Sequence, residues 1–428
     1  MFTRRKYNRS GTISVVVVDK SGGRFTEIHR VGVARNEEEA VALEAKGRHW
    51  IDTYRGQQLI DFECNAETEL RKAEDVLSGI KSARLTAVQA IINKVYDSIG
   101  FNEIKDEELR HLVVGRICQP MSKKATVDYL RRHFKDDVSL QKIYRYMDKL
   151  YNTQKERVQE ISVRHTKRRF GGNIGILFYD VTTLYFETTD KDDLRNNGFS
   201  KDGKNANPQV VLGLLVSRGG YPLSYALFNG AQFEGYTMIP IVDDFVQRYN
   251  LGSDFVVIAD AGLMSDKNVQ LLRSAGYKYI IGARIKKESG AMKDRILSTP
   301  HEMGVFNDII CKDGDRLIVG YSEERSFRIT KGTLEVRPMF HFTEKRIEAH
   351  VCICFVALKV YKELERLLKA SGCPYSVDNV LRIAEVIVTL EINLQENRQT
   401  LTRTLYTSKE ERDIAYLIET DDWLTSNG

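Results

Sequence analysis

The feature that most constrains the fold is the run from Gly175 to Glu187, GILFYDVTTLYFE, an apolar stretch with one carboxylate, Asp180, in its middle. Ile176, Leu177, Phe178, Tyr179 and Val181 are β-branched, aromatic or aliphatic, so the run reads as a strand buried on both faces. A lone carboxylate there costs on the order of several kcal/mol unless it is paired, hydrogen-bonded or bound to a cation. Taken alone, Asp180 admits a second reading, an acid near a strand end that bonds to nearby backbone.

The neighbouring sequence bears on that choice. Gln209 to Ser217 and Leu223 to Phe228 are β-rich and flank the Gly/Pro turn Arg218 to Pro222, which predicts an antiparallel meander continuing from the Asp180 strand. An amphipathic helix is expected over Thr237 to Tyr249. The run DFVVIAD then gives a second buried strand ending on Asp260, followed by a helix from Asp266 to Ser274 and a strand from Lys278 to Ala283. The order β-β-β-α-β-α-β matches an α/β, RNase H-like sheet, in which the first and fourth strands are neighbours. Asp180 and Asp260, 80 residues apart in the chain, then converge. Two such carboxylates make a hard-oxygen site suited to Mg²⁺ or Mn²⁺.

Charge is unevenly spread. Between Lys123 and Phe170 there are 14 Lys and Arg against 6 Asp and Glu, whereas the whole chain carries a net charge of only +5. Thr12 to Val18 and Arg24 to Val31 predict a hairpin, and Glu37 to Tyr54 a helix. Residues 1–66 therefore read as a small α+β cap, and 67–170 as a helical, basic module without strands, ending near Gly171-Gly172. Ser122 and Ser139 can cap helices over Lys123 to His133 and past Leu150, with Asp136-Asp137 in the turn. The pair resembles a helix-turn-helix that presents Gln141, Lys142, Tyr144 and Arg145 to a DNA groove; an ordinary helical hairpin with a solvated basic face fits the same residues.

The six cysteines form no CxxC pair and lack histidines at zinc-finger spacing, so a reducing cytoplasm is expected, and Cys352 and Cys354 read as packed thiols. No signal peptide or bilayer span is expected, because the longest apolar stretch, Ala349 to Tyr361, is too short and contains Lys359. Thr343 to Lys369 predicts a long core helix, Leu390 to Leu394 with Thr400 to Tyr406 a hairpin, and Ser408 onward a polar tail.

Five blocks carry a family resemblance: YDVTTLYFET, GFSKDGK with PQVVLGLLVSRGGYPL, FNGAQFEGYTM, VIADAGLMS, and FRITKGTLEVRPMFHFTEKRIEAHVCICFVALKVYKELERLL. In this order, across at least Gly175 to Lys369, they resemble insertion-sequence DDE transposases, and more narrowly the subgroup with a Tyr-x2-Arg-x3-Glu-x6-Lys signature. The resemblance implies a catalytic core over 171–370 and a C-terminal hairpin and tail over 371–428. It also implies two Asp and one Glu holding two divalent ions, Mg²⁺ or Mn²⁺, and double-stranded DNA bound by a homodimer near the nucleoid. Carried over by motif, the acids are Asp180, Asp260 and Glu324, the last at the required spacing from Lys331.

The signature's Arg and Tyr fall on Gly320 and Leu317, and the hairpin Phe306 to Tyr321 runs almost directly into FRITKG, which suggests an internal deletion near Gly320 to Ser326. Glu324 is then either the catalytic Glu or a chance survivor beside Glu323, with Glu335 another substitute. The family's hairpin-forming members stack a flipped base on an aromatic from the inserted region, whereas the only tryptophans here are Trp50 and Trp423. Arg328, Lys331 and Arg337 are candidates to hold DNA phosphates, or form a plain basic helix end. Two functions follow as expectations: an active transposase, or a catalytically inactive, truncated derivative that only binds the element's DNA ends.

Overall fold

The computed structural model describes residues 1–54, 66–133, 138–198, 207–252, 254–263, 265–283, 289–299, 306–311, 315–320, 339, 341–393 and 399–425. Two compact units are present, the first Met1–Gly79 and the second Ile80–Asn393 with Gln399–Gly428.

The first unit is a three-stranded antiparallel sheet, β1 (Phe2–Tyr7), β2 (Ile13–Asp19) and β3 (Thr26–Ala34), followed by α1 (Glu37–Thr53) and α2 (Ala66–Ser78). Ile13 and Val15 pack against Ala40 and Leu43 of α1, whose N-terminus is capped by Asn36 accepting from the Glu39 amide at 2.8 Å. The expected hairpin and helix are both present, with β1 as an additional edge strand.

The second unit begins with β4 (Ile80–Arg84) and the helices α3 (Ala87–Ile99), α4 (Glu107–Cys118), α5 (Lys123–His133), α6 (Leu140–Lys149) and α7 (Lys155–Arg169). It continues with β5 (Ile176–Tyr185), β6 (Gln209–Ser217), β7 (Pro222–Asn229), α8 (Met238–Arg248), β8 (Val256–Ala259), α9 (Asp266–Ser274) and β9 (Lys278–Ile281). It closes with α10 (Gly290–Leu297), the hairpin β10 (Phe306–Ile310) and β11 (Arg316–Gly320), α11 (Glu344–Ala370), α12 (Val377–Ala384), β12 (Val388–Asn393), β13 (Thr400–Leu405) and α13 (Lys409–Glu419).

A five-stranded sheet in the order β7-β6-β5-β8-β9 lies at the centre of this unit. β5, β6 and β7 form the expected antiparallel meander, while β8 pairs in parallel with β5 and β9 in parallel with β8. Both faces are covered. Leu184, Leu212, Leu214 and Tyr225 face a core shared with α3, α4 and α11, whereas Tyr179, Val181, Val211 and Leu215 face α8 and α9. β6 is buried along its whole length, which explains why its sequence is apolar without alternation. Gly213 lies beneath the Tyr179 ring: a Cβ there would sit 2.5 Å from the phenol oxygen.

Ser122 and Ser139 stand at helix starts as expected, accepting from the Ala125 amide at 3.3 Å and the Lys142 amide at 3.2 Å, and Ser265 does the same for α9 from the Asn268 amide at 3.2 Å. Cys352 and Cys354 are fully buried in α11, as packed thiols.

Three readings change. The strand β4 falls where only helices were expected; IKSAR lacks apolar alternation and is held by antiparallel pairing to β12, some 300 residues later. Ser408 onward is not a simple polar tail, because α13 buries Ile414, Ala415 and Leu417, and Trp423 is buried after it. Its apolar residues form one unbroken run, Ile414 to Ile418, after a charged first half, so no helical spacing shows in the sequence. Finally, α12 went unforeseen, although its buried Val377, Val380, Leu381 and Ala384 follow helical spacing.

A buried polar network ties α7, β7 and α11 together. Lys359 donates to the Ser162 carbonyl at 3.1 Å and to Thr166 Oγ1 at 2.5 Å, and lies 4.2 Å from the centroid of the Tyr221 ring. The Tyr221 hydroxyl donates to Glu363 Oε2 at 2.5 Å, Arg366 Nη2 donates to Glu363 Oε1 at 2.8 Å, and His165 Nε2 stands 3.6 Å from Oε1. Burial pushes the Glu363 carboxyl up, but the bonds from His165, Arg366 and Tyr221 outweigh it and hold the group at about 2. Removing it leaves the buried Tyr221 hydroxyl and the half-buried Arg366 guanidinium without their acceptor, so Glu363→Ala is expected to cost about 2 kcal/mol in urea unfolding at neutral pH. Because the folded pKa is depressed, this contribution is complete above the ordinary carboxylate value and is lost as pH falls towards about 2. The gap between native and variant should therefore narrow from pH 6 to pH 3.

Candidate active site

The parallel pairing of β5 with β8 puts the two conspicuous acids side by side. Its last register pair is Tyr179 with Ala259, and the next residue on each chain is Asp180 and Asp260. Adjacent strands run roughly 4.8 Å apart, so the two backbones present their carboxylates from neighbouring positions. Each acid is oriented locally: Asp180 Oδ1 accepts from the Val181 amide at 2.9 Å, and Asp260 Oδ1 from the Gly262 amide at 2.9 Å. The second bond belongs to the tight turn Ala261–Leu263, where a Cβ on Gly262 would lie only 2.9 Å from Asp260 Oδ1.

Asp180 differs from the expectation of a strand buried on both faces. Leu177, Tyr179 and Val181 are buried, but Ile176, Phe178, Asp180 and Thr182 are half-buried. The desolvation that a fully enclosed carboxylate would incur is thereby reduced, and Asp260 is exposed outright. Asp180 shares its face of β5 with Phe178 and Leu184, which pack into the core that α11 fills.

The remaining predicted residues divide into two sets. Glu324, Arg328, Lys331 and Arg337 lie outside the described residues, as does the Asp136-Asp137 turn. Lys142 and Arg145 are exposed on α6, while Ile143, Tyr146 and Met147 face the core. Lys142 pairs with Glu108 at 2.5 Å, and Tyr144 lies under the Arg346 guanidinium, 4.6 Å from its ring centroid. Tyr144 is thus engaged by α11 and does not project freely towards a groove; sequence spacing could not reveal a partner 202 residues away. Among the described residues, no group of three or more His, Cys, Asp or Glu is placed to hold a metal ion.

The residue reading missed the rim beside Asp260. The short turn Glu234–Tyr236 packs against Ala261–Leu263. Thr183 donates to Glu234 Oε1 at 3.3 Å, and Tyr179 is linked through its hydroxyl to Thr237 Oγ1 at 2.6 Å. Phe233 and Tyr236 stay exposed with ring centroids 5.5 Å apart, and Lys267 Nζ lies 4.3 Å from the Tyr236 centroid. The signal was available in FNGAQFEGYTM, where two aromatics flank an acid in a glycine-bearing loop.

No family model and no curated protein matches this sequence. Among solved structures, the chain is similar to a piggyBac transposase synaptic complex with hairpin DNA, at 11% identity and a TM-score of 0.37, over 73% of this chain and 79% of that one. It is also similar to Mos1 transposase in a paired-end complex with the left transposon end, at 11% identity and a TM-score of 0.19, over 38% of this chain and 55% of that one. The Mos1 mariner paired-end complex with Mn gives 11% identity and a TM-score of 0.17, over 55% and 72% of the respective chains. No helix among the described residues is long and apolar enough to cross a membrane.

Because Asp260 and Gly262 occupy an exposed turn rather than the core, Asp260→Ala and Gly262→Ala should each shift urea unfolding by less than about 1 kcal/mol. A larger loss would mean that the turn supports the sheet rather than a site.

Proposed function

We propose that the chain is a DNA transposase of the DDE type, whose β5–β9 sheet is an RNase H-like catalytic core acting on the ends of a bacterial-type insertion sequence. The observation that carries this reading is the register of Asp180 and Asp260, each one residue beyond the Tyr179–Ala259 pair on parallel neighbours of a 3-2-1-4-5 sheet. The sequence blocks that resemble insertion-sequence transposases supply the chemistry.

The donor set suits hard divalent cations, since both acids offer carboxylate oxygens and neither side chain is sealed from water. Asp180 and Asp260 would hold Mg²⁺ or Mn²⁺ together with Glu324. Two such ions, when bound, activate the attacking hydroxyl and offset charge on the phosphate. The chain's own task is placement. The Val181 and Gly262 amides each fix one oxygen, Oδ1, of the Asp180 and Asp260 carboxylates and so set their orientation. Lys142 and Arg145 on α6, with Arg328, Lys331 and Arg337, are proposed to contact DNA phosphates, and two chains to act as a homodimer on paired ends.

A second reading is an inactive derivative that still binds the element's ends. It is favoured by the short connection from β11 to Phe327.

Cleavage of a labelled duplex carrying the element's ends, with Mn²⁺, separates the two. The native chain should cut. Asp180→Ala, Asp260→Ala and Glu324→Ala should each fall by roughly a thousandfold, the equivalent of the several kcal/mol such ions supply, while retaining DNA binding. Gly262→Ala should lose activity by turning Asp260 aside without unfolding the chain. Binding without cutting by the native chain would sink the active-enzyme reading and leave the second.

A further inference from the structure

Arg116, in the last turn of α4, is only 6% exposed, and its Nε, Nη1 and Nη2 are all buried with no well-formed hydrogen bond among the described residues, the Cys354 thiol being the group it acts on. Its neighbours add positive charge. Lys123, the first residue of α5, is 4% exposed and its Nζ stands 3.0 Å from His350 Nδ1. His350 Nε2 is 3.7 Å from Cys354 Sγ, and the His341 ring centroid is 5.3 Å from that of His350.

Among the described residues these charges have no carboxylate partner. Burial, with Arg116 adding repulsion, pushes Lys123 down to about 8 despite the pull of the Cys354 sulfur. Burial, then Lys123 and Arg346, push His341 down to about 3. None of the groups acting on either residue is a carboxylate. Cys354 cannot serve as counter-ion, since burial raises its pKa and keeps the thiol protonated. Arg346, the nearby exception, is paired with Asp148 at 2.9 Å. An arginine cannot escape by deprotonating, so an unpaired one in the interior is strongly unfavourable.

We infer that Arg116, Lys123 and the first turn of α5 form an oxyanion site, which takes a tetrahedral anion of the phosphate class. α5 runs for 11 residues, and its N-terminal dipole adds to the attraction of the two side chains. The anion offsets the Arg116 charge, and His350 holds the Lys123 ammonium in place. This site goes beyond the proposed function and does not depend on the Asp180–Asp260 pair. Two sources share the chemistry: free inorganic phosphate, or a phosphodiester of bound DNA.

The test is thermal unfolding of the full chain, titrated with phosphate against chloride at matched ionic strength. In phosphate-free buffer, Arg116→Met should unfold at the native temperature or above it, because it removes an uncompensated buried charge. Phosphate should then raise the native Tm by several degrees and saturate in the millimolar range, reversing the order of the two proteins. A general salting effect grows without saturating and is the same in every variant. A non-saturating rise, or an equal rise in native, Arg116→Met and Lys123→Met proteins, overturns the site. If Arg116→Met fails to fold, Lys123→Met carries the comparison and saturation of the native response stands by itself. Phosphorus NMR of the loaded chain distinguishes the sources: displacement of bound phosphate by duplex DNA assigns the site to a phosphodiester, and retention assigns it to the free anion.

Discussion

The parallel pairing of β5 with β8 is the constraint on which the rest of the second unit depends. It is the one connection that joins the antiparallel meander to the βα segments, and it extends over only four register pairs, from Ile176–Val256 to Tyr179–Ala259. Parallel neighbours cannot be joined by a tight turn, so the chain must travel out through β6, β7 and α8 before returning as β8. That excursion covers one face of the sheet with α8. The opposite face is left for α11, and the acids emerge where the pairing stops.

α11 holds the opposite face with 17 buried residues in a 27-residue helix. Its contacts reach α3, α4, α6, α7 and β7, so the helices of the basic segment share one continuous core with the sheet. This has a consequence for function. A basic helix such as α6, anchored by Ile143, Tyr146 and Met147 and tied down through Tyr144 and Arg346, presents Arg145 from a rigid surface. The buried polar groups along α11 follow two different logics. Around Glu363 the charges are matched and hydrogen-bonded, which locks α7 to α11; Arg116 and Lys123 have no carboxylate partner among the described residues, the arrangement from which the anion site is inferred.

The site itself combines strong and weak placement. Asp180 sits within a ten-residue strand, fixed by neighbours on both sides, whereas Asp260 stands at the first residue of an exposed turn and depends on the Gly262 amide for its orientation. Glycine at 262 is required by close approach to the carboxylate rather than by an unusual backbone angle. The exposed Phe233 and Tyr236 lie on the segment that packs against this turn and offer flat apolar surface beside Asp260.

By itself the sequence determined the strands of the five-stranded sheet and their order. β6 runs from Gln209 to Ser217 and α9 from Asp266 to Ser274, as their apolar runs and caps dictate, because local propensity, burial pattern and turn chemistry agree there. It also singled out Asp180 and Asp260, since an acid in or at the end of an apolar strand is conspicuous on its own. Tertiary structure alone decided what depended on distant partners: that IKSAR becomes a strand by pairing with β12, that Tyr144 is covered by Arg346, and that Asp180 faces a half-open surface. It alone gathered Arg116, Lys123, His341 and His350, four residues from three separate stretches of chain, into one buried cluster. Local pattern records which face of an element is apolar; it carries no record of what will be laid against that face.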